Sequence, residues 1–432
     1  MARSLKVAVI GAGVSGLVAS RELRREGHRV VVFERSARLG GTWVYDPRVE
    51  TDPLGLDPNR EVVHSSMYRS LRTNLPRPLM SFSDYPFSER EEGDQRTFPC
   101  HAEVLAFLER FAGDFGLVEL IRFEKDVVRL ERGDGSCERW VVEWRSRVKG
   151  TESEEFDAVV VCNGKHTAPR TAEFPGMAKW PGKQVHSHNY RVPDPFQNQV
   201  VIIIGNGASA VDISREIASV AKEVHLSSRS PSVQASKLDK HDNIWQHGKI
   251  KYACEDGNVA FEDGLVVQAD TILHCTGYNF SFPFLRTNGM VGVEDNRVGP
   301  LYKHVFPPKL CPWLSFVGIP SKVILFMALE LQAKWVALVL SSKVSLPSEE
   351  EMLSQIEEYY RDMEENGVPK HHSHTLYPNE IEYMDFLAAQ TGVPPMENRL
   401  KEMFRQCRNI LVFFSSEVEG YRDEFDVNKI AV

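Results

Sequence analysis

The fold of this chain is decided by one stretch of sequence, KVAVIGAGVSG at residues 6–16. A short apolar strand runs into three closely spaced glycines, and a helix-period segment and a second strand, RVVVF at 29–33, follow. The first glycine permits a tight turn, the second lets the backbone approach a pyrophosphate, and the third lets the helix pack on the strand. The stretch therefore predicts a βαβ unit that binds a dinucleotide. The predicted contact residues are Gly11, Ala12, Gly13, Val14, Ser15 and Gly16.

The chain carries a second copy of this pattern. QVVIII at residues 199–204 runs into small residues at the same spacing, and a helical segment and the strand VHLS at 224–227 follow. An isolated glycine motif is weak evidence, but two copies in full strand–turn–helix–strand context support each other. The predicted contact residues of the second unit are Gly205, Asn206, Gly207, Ala208, Ser209 and Ala210.

The two copies differ after their second strand. Glu34 stands 23 residues after Gly11, and a carboxylate there accepts hydrogen bonds from both ribose hydroxyls but repels a 2′-phosphate. The same offset in the second copy gives Ser228, followed by Arg229, and a cation beside a hydroxyl suits a 2′-phosphate. We therefore expect FAD or NAD at the first unit, with Arg35 included in its site, and NADP at the second. The alternative is that Arg229 is an ordinary surface arginine.

A further internal match closes each unit. The segments FDAVVVCNG at 156–164 and ADTILHCTG at 269–277 each consist of an acidic residue, an apolar strand, a cysteine and a glycine. Two unrelated buried strands are the alternative, because any parallel sheet needs such runs. The matching offsets favour the interpretation that each segment closes one nucleotide unit and carries the chain across to the other. The sequence thus predicts an α/β fold of two Rossmann-like dinucleotide-binding domains with the NADP domain inserted into the FAD domain: residues 1–168 begin the FAD domain, 169–279 form the NADP domain, and 280–432 complete the FAD domain.

Composition excludes several classes of protein. The chain has 432 residues, 42% hydrophobic and 26% charged, which suits a globular protein of two or three domains. A net charge of -9 argues against nucleic acid as a partner, and charged residues interrupt the most apolar region, so no transmembrane helix is expected. The chain has seven cysteines without a CxxC pair, so neither a disulfide framework nor a metal site is expected. This pattern is typical of a reducing compartment and predicts a cytoplasmic protein. The sequence does not indicate an oligomeric state.

One motif resembles a known family, the flavin-containing monooxygenases. Trp180, Gly182, His186 and Tyr190 stand just before the second unit and match the family fingerprint, which usually begins with Phe. Related Baeyer–Villiger monooxygenases normally end the motif in Trp, so Tyr190 favours the branch that oxygenates sulfur and nitrogen. The fingerprint histidine is structural in the family, and we expect the same of His186 and His188. The alternative is that they are proton donors.

Other segments extend the resemblance over nearly the whole chain. GTW at 41–43 looks like the flavin-contacting turn of the family, and SLRTNLPR at 70–77 and TGY at 276–278 also match. HSSMYRSLRTNLPR and HSHNYRVPDPF resemble the plant S-oxygenating branch, which includes glucosinolate S-oxygenases and the alk(en)yl-cysteine S-oxygenases of onion relatives. Gln332 resembles a family position near the flavin. The alternative is that it lies on a core-facing helix. The cofactor-binding residues so assigned are Gly41, Thr42, Trp43, Thr73, Asn74, Val127, Thr276, Gly277 and Gln332.

The resemblance also implies a reaction. FAD, reduced by NADPH, reacts with O2 to give a C4a-hydroperoxyflavin, which hands one oxygen atom to a thioether, while NADP+ stays bound and shields the adduct. Asn74 is the predicted catalytic residue, because a neutral amide near the flavin and the nicotinamide ribose donates a hydrogen bond without an acidic proton. A turn residue before Pro76 is the alternative for Asn74. Methylthioalkyl glucosinolates, S-alk(en)yl cysteines and simple thioethers all remain open as substrates.

Other kinds of protein also contain two nucleotide-binding units. An N-oxygenating enzyme or a largely uncoupled NADPH oxidase that makes hydrogen peroxide stays open, because coupling depends on how dry the pocket is. A disulfide reductase shares the two nucleotide folds but needs a redox cysteine pair near the flavin, and the first 99 residues contain no cysteine. A nucleotide-binding protein without activity would have no use for Asn74 or the GTW turn.

Overall fold

The computed structural model describes residues 4–133, 139–146, 150–229, 235–238, 240–412 and 420–430. The strands of these residues, in chain order, are β1 Lys6–Ile10, β2 Arg29–Phe33, β3 Ile121–Arg122, β4 Lys125–Arg132, β5 Trp140–Ser146, β6 Gly150–Phe156, β7 Ala158–Val161, β8 Ala168–Pro169, β9 Lys183–His186, β10 Val200–Ile204, β11 Glu223–Ser227, β12 Ser236–Lys237, β13 Ile244–His247, β14 Ile250–Ala253, β15 Asn258–Phe261, β16 Val266–Gln268, β17 Thr271–His274, β18 Tyr278–Asn279, β19 Leu285–Arg286, β20 Gly292–Glu294, β21 Arg297–Gly299 and β22 Leu314–Phe316.

The helices of the described residues include two that follow the glycine turns. In chain order they are α1 Val14–Arg25, α2 His101–Asp114, α3 Ala208–Ala218, α4 Leu325–Leu340, α5 Glu349–Glu365, α6 Glu380–Thr391, α7 Asn398–Val412 and α8 Tyr421–Glu424. None of these helices is both long enough and apolar enough to cross a membrane.

A five-stranded parallel sheet carries the first predicted unit. Its strand order is β22-β7-β1-β2-β3, and β1 pairs with β2 from Lys6 opposite Arg29 to Ile10 opposite Phe33. Helices α1, α2 and α4 cover one face of the sheet, and the antiparallel sheet β19-β4-β5-β6 covers the other. Because both faces are buried, the strands are continuous apolar runs instead of alternating ones.

A second sheet repeats this architecture. Its order is β12-β13-β11-β10-β17-β9, and β10 pairs with β11 from Val200 opposite Glu223 to Ile204 opposite Ser227. Helix α3 packs on one face, and the three-stranded antiparallel sheet β14-β15-β16 packs on the other. The chain therefore builds one layered unit twice, with a helix side and a small antiparallel sheet on the opposite side.

The second sheet is inserted into the first in chain order. Its strands all lie between β7 and β22, which are neighbours in the first sheet. The chain leaves the first unit and returns to it through one antiparallel pair, Pro169 opposite Tyr278 and Ala168 opposite Asn279. This arrangement is the predicted insertion. The domain limits of 168/169 and 279/280 fall at this pair and remain a prediction.

Candidate functional site

The first glycine turn is shaped by close backbone approaches. Gly11 has φ +106°, and a Cβ on it would lie 2.6 Å from the Cys162 carbonyl oxygen. A Cβ on Gly16 would lie 1.8 Å from the Gly11 carbonyl oxygen, so only glycine lets α1 start this close to β1. Helix α1 begins at Val14 without a side-chain cap, and its first N–H groups are therefore available to a phosphate.

Glu34 ties the end of β2 to this turn. Its carboxylate is buried, and Oε2 accepts the Ala12 N–H at 2.8 Å. Oε1 accepts the N–H and the hydroxyl of Ser36 at 2.8 and 2.7 Å. Oε2 keeps a second lone pair, so the group can still accept a hydrogen bond from a ribose hydroxyl. Arg35 is half-exposed and lies 3.8 Å from the Asp126 carboxylate.

The predicted flavin turn lies directly on the first glycine turn. The Gly40 N–H donates to the Ala12 carbonyl at 2.9 Å, and a Cβ on Gly41 would be 2.9 Å from the Gly13 Cα. The residues Gly41–Trp43 form one 3₁₀ turn. The hydroxyl of Thr42 lies 3.4 Å from that of Ser66. Gly13 is thus enclosed by a second backbone segment, which limits the space for a ligand there.

Two further predicted residues, Val127 and Gln332, lie at different places around this turn. Val127 is partly buried in β4, two residues after Lys125, whose N–H donates to the Glu34 carbonyl. Gln332 is 1% exposed, and its amide is used within the protein: the oxygen accepts the Gly318 N–H at 3.0 Å, and the nitrogen donates to the Tyr383 hydroxyl at 2.7 Å. A contact of Gln332 with flavin therefore remains a prediction.

Gln332 acts on the glycine turn through Gly318. This glycine has φ +103°, and a Cβ on it would be 2.7 Å from the Ser15 hydroxyl. Holding the Gly318 N–H fixes a loop that packs against the start of α1. Sequence reasoning missed this role because the residues involved lie far apart in the chain.

The second glycine turn repeats the backbone geometry but is more open. Gly205 has φ +137°, and a Cβ on it would lie 2.4 Å from the Cys275 carbonyl oxygen. No described atom lies within 4 Å of a Cβ on Gly207, and Ala210 takes the buried helix position that Gly16 holds in the first unit. Helix α3 begins at Ala208, also without a side-chain cap. The exposed residues of this turn include Asn206, Gly207 and Ser209.

Ser228 and Arg229 follow the carboxyl end of β11. Ser228 is buried and its N–H donates to the His247 carbonyl, whereas Arg229 is exposed. Burial lowers the pKa of Arg170, and the charge of Arg229 lowers it further. A guanidinium group suits a 2′-phosphate. Sequence reasoning did not identify Arg170, because the residue belongs to no recognisable motif.

The TGY segment joins the second sheet to the first. The Arg170 N–H donates to the Gly277 carbonyl at 3.0 Å, and the Thr276 hydroxyl donates to the Arg170 carbonyl. Gly277 has φ +81°, almost the value of +80° found at Gly164, its counterpart in the first unit. Both glycines turn the chain at the carboxyl end of a central parallel strand, where ligands of such sheets bind.

The fingerprint histidines hold segments together. Nδ1 of His186 accepts the His188 N–H at 3.0 Å, so its Nε2 carries the proton and donates to the Gly277 carbonyl at 3.0 Å. Burial, helped by His188 and His274, lowers the pKa of His186 to about 3. Nε2 of His188 lies 3.1 Å from Glu50 Oε1, and both side chains are fully buried. These contacts suit the expected structural role.

Sequence reasoning did not identify Glu50, which is the centre of these contacts. Its carboxylate also accepts hydrogen bonds from Arg60 Nε and from the Val63 N–H. Burial alone would raise the pKa of Glu50, but the bonds from His188 and Arg60 hold it below its ordinary value. The loop that carries Ser66 is thereby fixed against the link between the two units.

The segment before Asn74 crosses between the two units. The Ser70 hydroxyl donates to Glu216 of α3 at 2.8 Å, and Leu71 packs on the core of the second unit. Four residues later, Leu75 belongs to the core of the first unit. Asn74 therefore lies between the two nucleotide units, which is where a residue that contacts both cofactors must be.

Asn74 itself is exposed on a bend, and no described residue forms a hydrogen bond with its amide. The neighbouring Thr73 is buried, and its hydroxyl donates to the Leu75 carbonyl at 2.8 Å. Thr73 thus supports the bend on which Asn74 lies, and a contact of its own with a cofactor remains a prediction.

The histidine-rich stretch at 370–374 is engaged in the protein. Nε2 of His374 accepts the Val298 N–H at 2.9 Å, and its Nδ1 lies 3.0 Å from Nδ1 of His304. Within the described ranges, no group of three histidine, cysteine or acidic residues could hold a metal ion.

Comparison with known proteins agrees with these features. The profile of the flavin-binding monooxygenase-like family matches residues 4–247 and 241–414. Flavin-containing monooxygenase FMO GS-OX5 of Arabidopsis thaliana is 52% identical over 99% of this chain and 93% of its own length. FMO GS-OX-like 2 from the same plant is 53% identical with the same coverage.

Solved structures extend the comparison. The S-allyl-L-cysteine S-oxygenase from Allium sativum superposes with a TM-score of 0.95 at 51% identity and covers 99% of this chain and 97% of that one. Cyclohexanone monooxygenase, at 15% identity, a TM-score of 0.61 and coverage of 91% and 99%, shares the fold alone. The predicted fold class and the cofactors FAD and NADPH are confirmed by these relationships. The chain belongs to the flavin-binding monooxygenase-like family and is an oxidoreductase that acts with O2 on a small molecule.

Proposed function

We propose that this monooxygenase oxygenates the sulfur of thioethers. The observation that carries the proposal is the full-length similarity, at 51% identity, to a protein named as an S-allyl-L-cysteine S-oxygenase. When bound, FAD supplies the oxygen chemistry: reduced by NADPH, it reacts with O2 and delivers one oxygen atom. The protein supplies binding, orientation and protection from water.

The first unit fits FAD. The uncapped start of α1 and the Gly11–Gly16 turn offer N–H groups to the pyrophosphate, and Glu34 Oε2 has a lone pair for a ribose hydroxyl. The turn at Gly41–Trp43, together with Val127, would contact the rest of the cofactor. These roles, and the division into residues 1–168, 169–279 and 280–432, are part of the proposal.

The second unit fits NADPH. The Gly205–Ala210 turn precedes the uncapped start of α3, which suits a pyrophosphate. Ser228 and Arg229 would select the 2′-phosphate. Thr276 and Gly277 would contact the nucleotide from the neighbouring strand.

Asn74 would act between the cofactors. Its amide is exposed on the segment that joins the two units, and no described residue competes for its hydrogen bonds. An amide orients a neighbouring polar group without donating an acidic proton, so Asn74 would keep acid away from the bound cofactor. Asn74 is therefore the residue that we assign to catalysis.

The natural substrate would be a methylthioalkyl glucosinolate or an S-alk(en)yl cysteine. Both belong to the plant branch that the sequence resembles, and the second matches the name of the garlic relative. N-oxygenation, or release of hydrogen peroxide without oxygen transfer, is the other candidate, because coupling depends on exclusion of water. The six cysteines in the described ranges are all free, which supports a cytoplasmic location.

A panel of thioethers and amines tests the proposal. Holoenzyme is supplied with NADPH and each compound, and three quantities are measured: oxygenated product, NADPH consumed and hydrogen peroxide formed. S-oxygenation requires at least one thioether whose sulfoxide accounts for most of the NADPH. If amines give the only product, or if peroxide accounts for the NADPH with every compound, the proposal is wrong.

A further inference from the structure

The last described segment, residues 420–430, has no part in the account above. It packs on the first unit, where Ile430 is buried in the core. The rings of Tyr421 and Phe425 each lie 5.5 Å from the ring of Phe98 in edge-on arrangements, and Phe98 is fully buried in the same core. Aromatic contacts of this kind give helix α8 a fixed place on the first unit.

One side chain of α8 reaches across to the second unit. Arg422 donates two hydrogen bonds to Asp212 of α3, from Nη1 to Oδ1 at 3.1 Å and from Nη2 to Oδ2 at 2.8 Å. The side chains of Arg422 and Asp212 are only 17% and 18% exposed. A bidentate, largely buried pair fixes the direction as well as the distance of its partners, which an exposed pair does not. Arg422 thus joins the first unit to the helix that follows the second glycine turn.

The same carboxylate binds the segment that carries Asn74. The hydroxyl of Tyr68, which is buried, donates to Asp212 Oδ2 at 3.0 Å. Tyr68 and Arg422 therefore share one oxygen of Asp212. The approach to Asn74 is thus bonded to α3 at the point where α8 is bonded to it.

A second ion pair connects this segment to α8 directly. Arg72, two residues before Asn74, donates from Nη1 to Asp423 Oδ1 at 2.8 Å and from Nε to the Phe98 carbonyl at 3.1 Å. Asp423 follows Arg422 in the chain. Adjacent residues of α8 therefore hold α3 and the segment that leads into Asn74.

The groups around Asp212 keep their protonation states near pH 7. Burial alone would lower the pKa of Arg422, but the charge of Asp212 and its hydrogen bonds raise it, so the guanidinium stays charged. Burial, with the charge of Asp212, raises the pKa of Tyr68 well above its ordinary value, so the hydroxyl keeps its proton and donates it. The connection between the units is therefore complete under ordinary conditions.

We propose that Arg422, acting through Asp212, is a positioning residue that holds the second unit and the Asn74 segment in the arrangement needed for hydride transfer from NADPH to FAD. The inference rests on the proposed assignment of FAD to the first unit and NADPH to the second. Arg422 and Asp212 are not among the residues assigned to either cofactor. Their pair therefore acts on how the two sites face each other and leaves each site intact.

Anaerobic reduction of bound FAD by NADPH tests the proposal and needs no thioether. The loss of flavin absorbance at 450 nm is followed by stopped flow over a range of NADPH concentrations, which gives the Kd of NADPH and the limiting rate of reduction. Arg422→Met should lower the limiting rate about tenfold, the lower end of the range for one hydrogen bond to a charged group, and leave the Kd within about twofold. FAD content, measured first, shows that the variant is folded and loaded.

Further variants assign the effect to the pair. Arg422→Lys keeps the charge and should recover part of the rate. Asp212→Asn keeps an acceptor for Tyr68 but removes the charge, and it should slow reduction as Arg422→Met does. The variant with both changes should be no slower than the slower single variant, because two residues that act through one contact are not additive.

The matched control is an ion pair that lies within the first unit. Lys401 Nζ donates to both oxygens of Asp385, at 3.0 and 2.8 Å, and so joins α7 to α6. Lys401→Met removes a two-bond pair of similar geometry without touching the junction of the units. It should leave the limiting rate and the Kd of NADPH unchanged.

Amide hydrogen exchange tests the same contact without any reaction. In FAD-loaded protein, peptides that cover residues 68–75 should exchange faster in Arg422→Met than in wild type, because the segment loses the support of the pair. Peptides that cover β1, in the core of the first unit, should exchange as in wild type. Unchanged exchange at residues 68–75 would mean that Arg422 does not hold the segment.

The outcomes separate this inference from the proposed function. An unchanged limiting rate in FAD-loaded Arg422→Met, a loss confined to the Kd of NADPH, or losses that multiply in the double variant would overturn the role of Arg422. If Arg422→Met yields no folded protein, Asp212→Asn and Arg422→Lys provide the same comparison. A lower limiting rate with an unchanged Kd supports the role, even if no thioether yields sulfoxide. In that case S-oxygenation fails and the role of the pair stands.

Discussion

The two nucleotide units of this protein share a backbone and differ in how they are covered. In each unit the aspartate just before the strand that pairs with the first strand, β7 or β17, accepts a backbone N–H of the first strand. Asp157 accepts the N–H of Lys6 at 2.7 Å, and Asp270 accepts that of Val200 at 2.8 Å. Even the register between the first two strands is the same. The chain has thus kept one scaffold twice and varied the surfaces that meet the ligand.

The main difference between the units is how closely other residues pack on the second glycine of each turn, Gly13 or Gly207. Gly13 lies under the Gly41–Trp43 turn, and a Cβ on it would be only 3.5 Å from the Gly41 Cα, whereas a Cβ on Gly207 would meet no described atom within 4 Å. An enclosed site retains its cofactor, and an open one lets a nucleotide enter and leave. This contrast fits the proposal that the first unit holds FAD and the second binds NADPH.

The largest effect is expected from exchanging the third small residue of each turn. In Gly16→Ala the added Cβ would lie 1.8 Å from a backbone oxygen, so the free energy of unfolding should fall by more than about 3 kcal/mol, the upper end for overpacking. Ala210→Gly, the matched change in the second unit, should cost only about 0.5–1 kcal/mol. Urea unfolding and the yield of folded protein measure both. Equal losses would mean that the two helix starts are packed alike.

The next largest effect is expected at Gly13 and Gly207, the glycines that are predicted to lie against a pyrophosphate. Gly13→Ala should fold, because its Cβ makes only an ordinary contact with Gly41, but should be isolated without flavin, because the second glycine of this motif lets the backbone approach the pyrophosphate. Gly207→Ala should keep flavin and weaken NADPH instead. The ratio of absorbance at 450 to 280 nm and NADPH titrations report the two sites. Full FAD occupancy in Gly13→Ala would refute the first assignment.

Arg229 tests the chemical difference between the units. Arg229→Ala should weaken NADPH by about 1.5–3 kcal/mol, the range for a hydrogen bond to a charged group, and leave NADH unchanged. Arg35→Ala, the corresponding arginine of the first unit, should change neither. The Michaelis constants for both nucleotides provide the measurement. The same loss for NADH would remove Arg229 as the selector of the 2′-phosphate.

The smallest effect is expected at the segment that joins the units. Asn74→Asp should keep flavin and NADPH binding but lower the ratio of sulfoxide to NADPH consumed by roughly fivefold, as expected for about 1 kcal/mol from one hydrogen bond. Thr73→Val serves as the control for a disturbed bend, because its hydroxyl bonds only to the Leu75 carbonyl in the protein. An unchanged ratio in Asn74→Asp would exclude Asn74 from the chemistry.

Local pattern was enough to predict the repeated scaffold. Each of the four strands of the two βαβ units lies at the predicted place, because a buried parallel strand must be a short apolar run and the turn after it must be glycine. The matching crossings after Cys162 and Cys275 were predicted for the same reason, and both end in a glycine with positive φ.

Contacts between distant segments could not be predicted. Glu50 meets His188 across 138 positions of the chain, and Lys165 meets Pro320 across 155. Neither pair has a spacing that a sequence pattern can reveal, because the fold alone brings the segments together. The role of Gln332 is a similar case: the residue was singled out, but its bonds to Gly318 and Tyr383 depend on tertiary packing.

The nucleotide in the open unit is expected to protect the flavin held by the enclosed unit. Photoreduced holoenzyme is mixed with air-saturated buffer, with and without NADP+, and the return of oxidised-flavin absorbance at 450 nm is followed. NADP+ should slow this return markedly, and Arg229→Ala should need more NADP+ for the same effect. The same rate of return with and without NADP+ would contradict the account.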